Sequence, residues 1–283
     1  MEIITRIPRM VSIARELRQA GRRIGLVPTR GALHEGHLSL MASAREMCDA
    51  VIVSILGAHD QQEQESERSS ADLARDAELA FTRGVDFIFA PAADDINPEG
   101  SVTFTTVEGL SSKLEGSSGS DYFRGMTTTM NKLLNVIHPN FVFLGRKNAQ
   151  QVIIIKRMVR ELAIDSEIVV GPTVREEDGL ALSSTNVYLS TTERKAATVL
   201  RRALERCRST YNGGERDSSK LIASMRAVID SEPLARVDYI AMTDTVDLDP
   251  IETIGQGMPT LVLLAVFIGE IRLVDNIVLN GEL

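Results

Sequence analysis

The stretch Val27-Pro28-Thr29-Arg30-Gly31-Ala32-Leu33-His34-Glu35-Gly36-His37-Leu38-Ser39-Leu40 decides how the rest of the chain is read. An apolar run, Ile24 to Val27, ends in Pro28-Thr29. A glycine-bearing turn follows, and from Leu38 to Met47 the apolar residues recur at helical spacing. This is a strand, a tight loop and a helix start, with two imidazoles three residues apart at the helix mouth. A helix N-terminus offers free N–H groups and positive dipole potential to an anion. His34 and His37 there can contact one phosphate chain and stabilise charge that develops at phosphorus. H-x-x-H alone is also a spacing for a metal pair, but Gly36 lets a ligand approach the backbone closely. The order strand, turn, H-x-G-H, helix favours nucleotide chemistry.

Outward from this loop, Pro8 to Ala20 carries a helical stripe (Met10, Ile13, Ala14, Leu17), and Arg22 to Pro28 is the first predicted strand. Ala50 to Leu56 is a near-continuous, β-branched apolar run, as expected for a parallel strand covered on both faces. Helix His37 to Cys48 between the two strands makes a βαβ unit with a right-handed crossover. The polar, acidic stretch 57–70 has no apolar period and reads first as a solvated loop; because it follows a strand's carboxyl end, its functional reading is a mobile lid over the ligand. Helices are predicted at Ala71 to Arg83, Met126 to Ile137 and Ala149 to Leu162. Strands are predicted at Val85 to Ala90, Phe141 to Leu144 and Glu167 to Val170, with a short one at Val102 to Val107. Leu110 to Gly125, rich in Ser and Gly, reads as loop. After Thr173 the alternation ends. Helices at Thr191 to Tyr211 and Ser218 to Ile229 precede strands at Val237 to Met242, Leu261 to Ile268 and Ile271 to Leu279, the last two forming a hairpin. The expectation is an α/β fold: a doubly wound α/β domain over 1–173 and a smaller C-terminal α+β domain over 174–283.

A chain of 283 residues with 43% hydrophobic and 25% charged residues has an ordinary globular composition. The net charge of -8 disfavours non-specific nucleic-acid binding, and aromatics at 4% give no base-stacking platform. The two cysteines, Cys48 and Cys207, form no disulfide framework or metal spacing, which suits a reducing, cytoplasmic compartment. No apolar run reaches membrane-span length and the first ten residues lack a signal-peptide core, so no membrane partner is expected.

Two further stretches carry chemistry. Gly145-Arg146-Lys147-Asn148-Ala149-Gln150-Gln151 is a strand end, turn and helix start. Gly179-Leu180-Ala181-Leu182-Ser183-Ser184-Thr185-Asn186 places paired hydroxyls beside a glycine. Together with Pro28 to Leu38, and with the longer run Pro172 to Ser190, they resemble the pantothenate synthetase (pantoate–β-alanine ligase) family over essentially the whole chain. The resemblance implies that the 1–173 domain is a Rossmann-like H-x-G-H nucleotidyltransferase domain and the 174–283 domain a lid closing over it, and that the homodimer joins a small carboxylic acid to an amine through an acyl-adenylate, with ATP and Mg2+. It also implies roles for residues. His34, His37 and Lys147 act on the phosphates and the pentavalent transition state. Thr29, Gly36, Gly145, Ser183 and Ser184 line the nucleotide. Gln61 and Gln151 bind the acid, Glu115 matches the family's L-E-G, and Asp76 stands where the family keeps a magnesium-associated carboxylate.

The sequence also departs from the family pattern. Arg30 stands in place of methionine beside the acid pocket, and Ala58 in place of asparagine. Gly119 and Tyr122 replace an arginine and a histidine, Arg146 and Asn148 replace glutamate and aspartate, and Thr185 replaces an arginine. These changes keep other outcomes open: a different acid or amine selected by Arg30, a catalytically impaired paralogue that binds a nucleotide or partner, or a nucleotidyltransferase that stops at an adenylylated product.

Overall fold

A computed structural model of the chain describes residues 1–56, 70–118 and 121–283. They form two compact units: Met1–Gly145 with Ile154–Gly171, and Arg146–Ile153 with Pro172–Leu283. The predicted lid, with Ala58 and Gln61, and position Gly119 lie outside the described residues.

The first unit runs β1 (Glu2–Ile4), α1 (Ile7–Gln19), β2 (Ile24–Thr29), α2 (Glu35–Met47), β3 (Ala50–Ile55), α3 (Ser70–Phe81), β4 (Phe87–Phe89), α4 (Ala93–Ile96), α5 (Asp121–Ile137), β5 (Phe141–Gly145), α6 (Ala149–Glu161), of which the start, to Ile153, is assigned to the second unit, and β6 (Glu167–Gly171). Its six strands are parallel in the order β1-β4-β3-β2-β5-β6. Strand β3 is buried at all six positions, as its apolar run requires. It pairs with β2 in register from Ile24 opposite Ala50 to Thr29 opposite Ile55. The stripe of α1 buries Met10, Ile13 and Ala14. Leu38, Met41 and Ala44 of α2 join Val27, Val51, Val53, Ile88 and Phe143 in the core. Each of these side chains larger than Ala44, fully buried, contributes about 1.5–3 kcal/mol. The strand order reverses at β2, with β3 and β4 on one side and β5 and β6 on the other. In open α/β sheets such a reversal leaves a crevice at the carboxyl ends of the strands. The loop after β2 is the histidine loop, and its neighbour β5 ends at Gly145.

Two expectations fail in this unit. Val102 to Val107 is not a strand, because its polar groups are taken by side chains of α5. Thr105 N–H donates to Thr128 Oγ1 (3.0 Å), and Thr127 Oγ1 donates to Thr105 O (2.6 Å). Nor is Leu110 to Gly125 all loop. It holds two short 3-10 turns, Leu110–Ser112 and Leu114–Ser118, and α5 begins at Asp121, with Phe123 fully buried.

The second unit adds α7 (Thr191–Ala196), α8 (Val199–Asn212), α9 (Ser218–Asp230), and the antiparallel sheet β7 (Ala235–Thr243), β8 (Thr260–Ile268), β9 (Ile271–Leu279). Ser190 and Glu193 form a capping box at the start of α7. The single helix expected over Thr191 to Tyr211 is interrupted at 197–198, where Thr198 Oγ1 donates back to Lys195 O (2.8 Å). Leu200, Leu204 and Cys207 of α8 meet Leu221 and Met225 of α9, and Val262, Leu264 and Ile277 of the sheet, in one core. Arg175 makes a bidentate pair with Asp275 of β9 (2.7 and 2.9 Å), whose side chain is 2% exposed. Removing one partner of such a buried pair costs about 3–5 kcal/mol.

Each unit encloses one thiol. Cys48 packs under Gly25, where an added Cβ would lie 2.7 Å from its Sγ. Burial raises the Cys48 thiol above its usual range and pushes Cys207 up to about 12.

Candidate functional site

The loop between β2 and α2 is fixed from beneath. Thr29 Oγ1 donates to Ser54 O on β3 (2.8 Å) and accepts the Gly31 N–H (3.3 Å). The expected nucleotide-lining Thr29 is thus buried and shapes the loop through its hydroxyl. Ala32 adopts a left-handed backbone (φ 47°), a conformation that costs an L-residue about 1–2 kcal/mol. Two contacts hold it there. Leu33 is buried in the core, and its N–H donates to Asp76 Oδ1 on α3 (2.9 Å). Asp76 is 1% exposed, and its second oxygen, also buried, has no partner among the described residues.

At the helix mouth the two imidazoles are locked by backbone donors. Gly36 N–H donates to His34 Nδ1 (3.1 Å), and His34 N–H donates to His37 Nδ1 (3.4 Å), a reciprocal capping box. Both Nδ1 atoms act as acceptors, so each neutral ring carries its proton on Nε2. The ring centroids lie 4.0 Å apart. Burial, with His34 alongside, lowers the His37 pKa to about 3. His37 is therefore a neutral hydrogen-bond donor at physiological pH. Gly36 is required by this packing, since a Cβ there would sit 2.8 Å from His34 Cε1.

The shift links stability to pH. An unfolded histidine titrates near 6.5 and His37 near 3, so between those values the unfolded chain holds a proton that the folded chain lacks. The contribution is full above about pH 6.5 and is lost as pH falls toward 3. The melting temperature is expected to drop on acidification from pH 7 to 5. Carboxylates such as Asp178, held low by Arg194, and Glu215, held low by the Asp217 N–H, still keep their charge in that range. His37→Gln should flatten the slope; equal slopes in melting curves of the two proteins would exclude His37 as its source.

In the second unit Lys147 is half-buried in the 3-10 turn Arg146–Asn148, Gln151 is half-buried on α6, and Gln150 is buried. Ser183 Oγ accepts the Thr185 N–H (3.3 Å), capping the 3-10 turn Ser184–Tyr188, and Ser184 is exposed. Asn186 Nδ2 donates to Ala181 O and Glu176 Oε1, tying that turn to the segment 176–181 before it. In the first unit Arg30 is exposed, and Gly145 is half-buried with room for a side chain, its nearest neighbour being Leu40 Cδ1 at 3.9 Å. Glu115 is half-buried within its 3-10 turn, and Tyr122 stacks edge-on against Phe123. The structure thus brings His34, His37, Thr29 and Asp76 together around one loop. It places Lys147 and Gln151 on one turn and helix start of the other unit. Sequence reasoning missed Asp275 and Asn276. Their signal was a polar pair in the middle of a strand whose only other polar residue is Arg272, near its start.

Among the described residues no group of three metal-ligating side chains occurs. A Mg2+ ion that arrives on phosphates needs only one or two carboxylates from a protein. The orphaned, buried Oδ2 of Asp76 beside the histidine loop fits that demand.

A family model for pantoate-beta-alanine ligase matches residues 2–278. Pantothenate synthetase from Pelotomaculum thermopropionicum is 45% identical over 282 residues, 99% of each chain. That from Heliobacterium modesticaldum is 46% identical over 286 residues, covering 99% of this chain and 100% of the other. Among solved structures, pantothenate synthetase from Thermus thermophilus superposes with a TM-score of 0.87 at 33% identity, covering 98% of this chain and 99% of that one. Pantoate-beta-alanine ligase from Francisella tularensis, solved with beta-gamma ATP and beta-alanine, gives 0.76 at 31% identity, covering 98% and 97%. With its H-x-G-H loop on a parallel sheet and these matches along its whole length, the chain belongs to the pantoate–β-alanine ligase family, whose activity is ATP-dependent amide formation between pantoate and β-alanine.

Proposed function

We propose that this chain makes pantothenate with the residues assigned below, as a cytoplasmic homodimer that uses neither nucleic acid nor membrane as a partner. The observation that carries the assignment is the pair of imidazoles, His34 and His37, whose Nδ1 atoms both accept backbone N–H groups, which puts the proton of each neutral ring on Nε2. The reaction has two steps. A pantoate carboxylate oxygen bonds to the α-phosphorus of ATP as the bond to pyrophosphate breaks. The β-alanine amine then attacks the acyl carbon, AMP leaves with its oxygen, and the amine loses a proton. The first step gathers negative charge on the α-phosphoryl oxygens, where His34, His37 and Lys147 act as donors. A neutral His37 can donate throughout without being deprotonated first.

Gly36 permits close approach at the helix N-terminus, Thr29 and Gly145 set the loop ends, and Ser183 and Ser184 of the 174–283 domain donate to phosphates from their capped turn. Arg30, Gln61 and Gln151 contact the acid; a guanidinium suits a carboxylate through paired bonds. The 1–173 domain in this reading carries nucleotide and acid. Asp76 would hold a Mg2+ ion brought by the phosphates, which would supply charge neutralisation there.

Pantoate-dependent exchange of pyrophosphate into ATP, with mass-spectrometric detection of the amide once β-alanine is added, tests the reading. Exchange and amide are expected; well-folded protein that supports neither with pantoate would overturn it. Asp76→Asn separates the two roles of that residue. The amide oxygen can still accept the Leu33 N–H, so stability should fall by no more than about 1 kcal/mol. The Mg2+ concentration giving half-maximal exchange should rise several-fold. An unchanged Mg2+ dependence would reduce Asp76 to a support of the loop.

A further inference from the structure

We infer that Asn276 is a positioning residue for adenylate formation, holding the turn that presents Lys147. Asn276 is 3% exposed in the middle of β9. Its amide nitrogen spends both hydrogens on two consecutive carbonyls of that turn, Arg146 O at 2.9 Å and Lys147 O at 2.8 Å. Only a side-chain amide matches this demand here. An aspartate of the same shape would face two carbonyl oxygens with a carboxylate, and a serine has one hydrogen to give.

The strand position supporting Asn276 is itself braced. Asp275 Oδ1 accepts the Asn276 N–H (2.8 Å) and one arm of Arg175, whose other arm reaches both Oδ2 and Gly179 O (3.1 Å). Successive residues of a strand face opposite sides. One dipeptide therefore ties the Lys147 turn to β9 on one face, and on the other the segment 175–179 that leads to Ser183 and Ser184. A turn held at two successive carbonyls fixes the Cα of Lys147, so its flexible stem starts from one place. Positioning of this kind appears in the transition state rather than in ground-state affinity.

The inference rests on the reading that Lys147 acts on the α-phosphate, and a double-mutant cycle separates the two claims. Pantoate-dependent ATP–pyrophosphate exchange is measured on the full chain for Asn276→Ala, Lys147→Ala, the double variant, and Asn280→Ala as a control. Asn280 is exposed just past β9 and bonds to Tyr211 OH. Asn276→Ala is expected to lower kcat about tenfold, as for two neutral hydrogen bonds, with KM for ATP held within about threefold. It should cause no further loss once Lys147 is gone, and Asn280→Ala should exchange like the parent. Losses that multiply in the double variant, or full exchange by Asn276→Ala, would overturn the positioning role alone. Full exchange by Lys147→Ala would instead overturn the role of the lysine, and the coupling with it. Should Asn276→Ala fail to fold, Asn276→Ser, with one donor retained, enters the same cycle with an expected intermediate loss.

Discussion

Replacing His37 with alanine is expected to slow adenylate formation at least about a hundredfold, the usual effect of removing one preorganised donor from a developing oxyanion. The loss should appear in kcat of the exchange reaction and leave KM for pantoate nearly unchanged, because the charge that His37 answers exists only in the transition state. The pH profile sharpens the expectation. A donor that worked as an imidazolium would lose activity as pH rose through 6.5. His37, with its pKa near 3, should contribute no inflection between pH 5 and 8. His37→Gln places an amide N–H near the lost Nε2 and should recover part of the rate. An alanine variant within tenfold of the parent would show that the charge is met elsewhere.

The second large effect comes from a single methyl group. Gly36→Ala puts a Cβ 2.8 Å from His34 Cε1 and 3.0 Å from Nδ1, so the ring must leave its place and the bond from the Gly36 N–H to Nδ1 is lost. Replacing a helical glycine by alanine otherwise favours the helix by up to about 1 kcal/mol. The melting temperature should therefore hold or rise while exchange falls by about a hundredfold, the scale of a catalytic group displaced by an ångström. Activity and stability move apart, which a general packing defect would not produce. Parental exchange by this variant would mean that the observed place of the His34 ring is not the working one.

Much of the fold was legible because burial and sequence pattern coincide. β3 shows its two covered faces as an unbroken apolar run, and the loop after β2 announces itself by Gly36 between two histidines. Legibility fails where partners are distant. β1 is three residues long with two exposed, and only its pairing with β4 makes it a strand. Thr105 looked like a strand residue, but Thr127 and Thr128, more than twenty positions on, claim its backbone. The start of α5 lay concealed in a Ser/Gly-rich stretch, with Phe123 as its anchor. For the site, the family motif pointed to Asp76 as a carboxylate near magnesium, yet nothing local could reveal its bond to Leu33, 43 residues earlier. Asn276 stood out as a polar residue within a strand, but its partners were unreadable for the same reason: they are backbone carbonyls about 130 positions away, which carry no side-chain signature.

The two enclosed thiols give the molecule a built-in readout of opening. Cys48 belongs to the unit with the histidine loop and Cys207 to the other, and each is almost fully buried and held in its unreactive, protonated form. Alkylating reagents attack thiolates, so neither sulfur should label until its own surroundings come apart. Peptide-resolved labelling rates under native conditions would then time the opening of each unit separately, with no engineered probe.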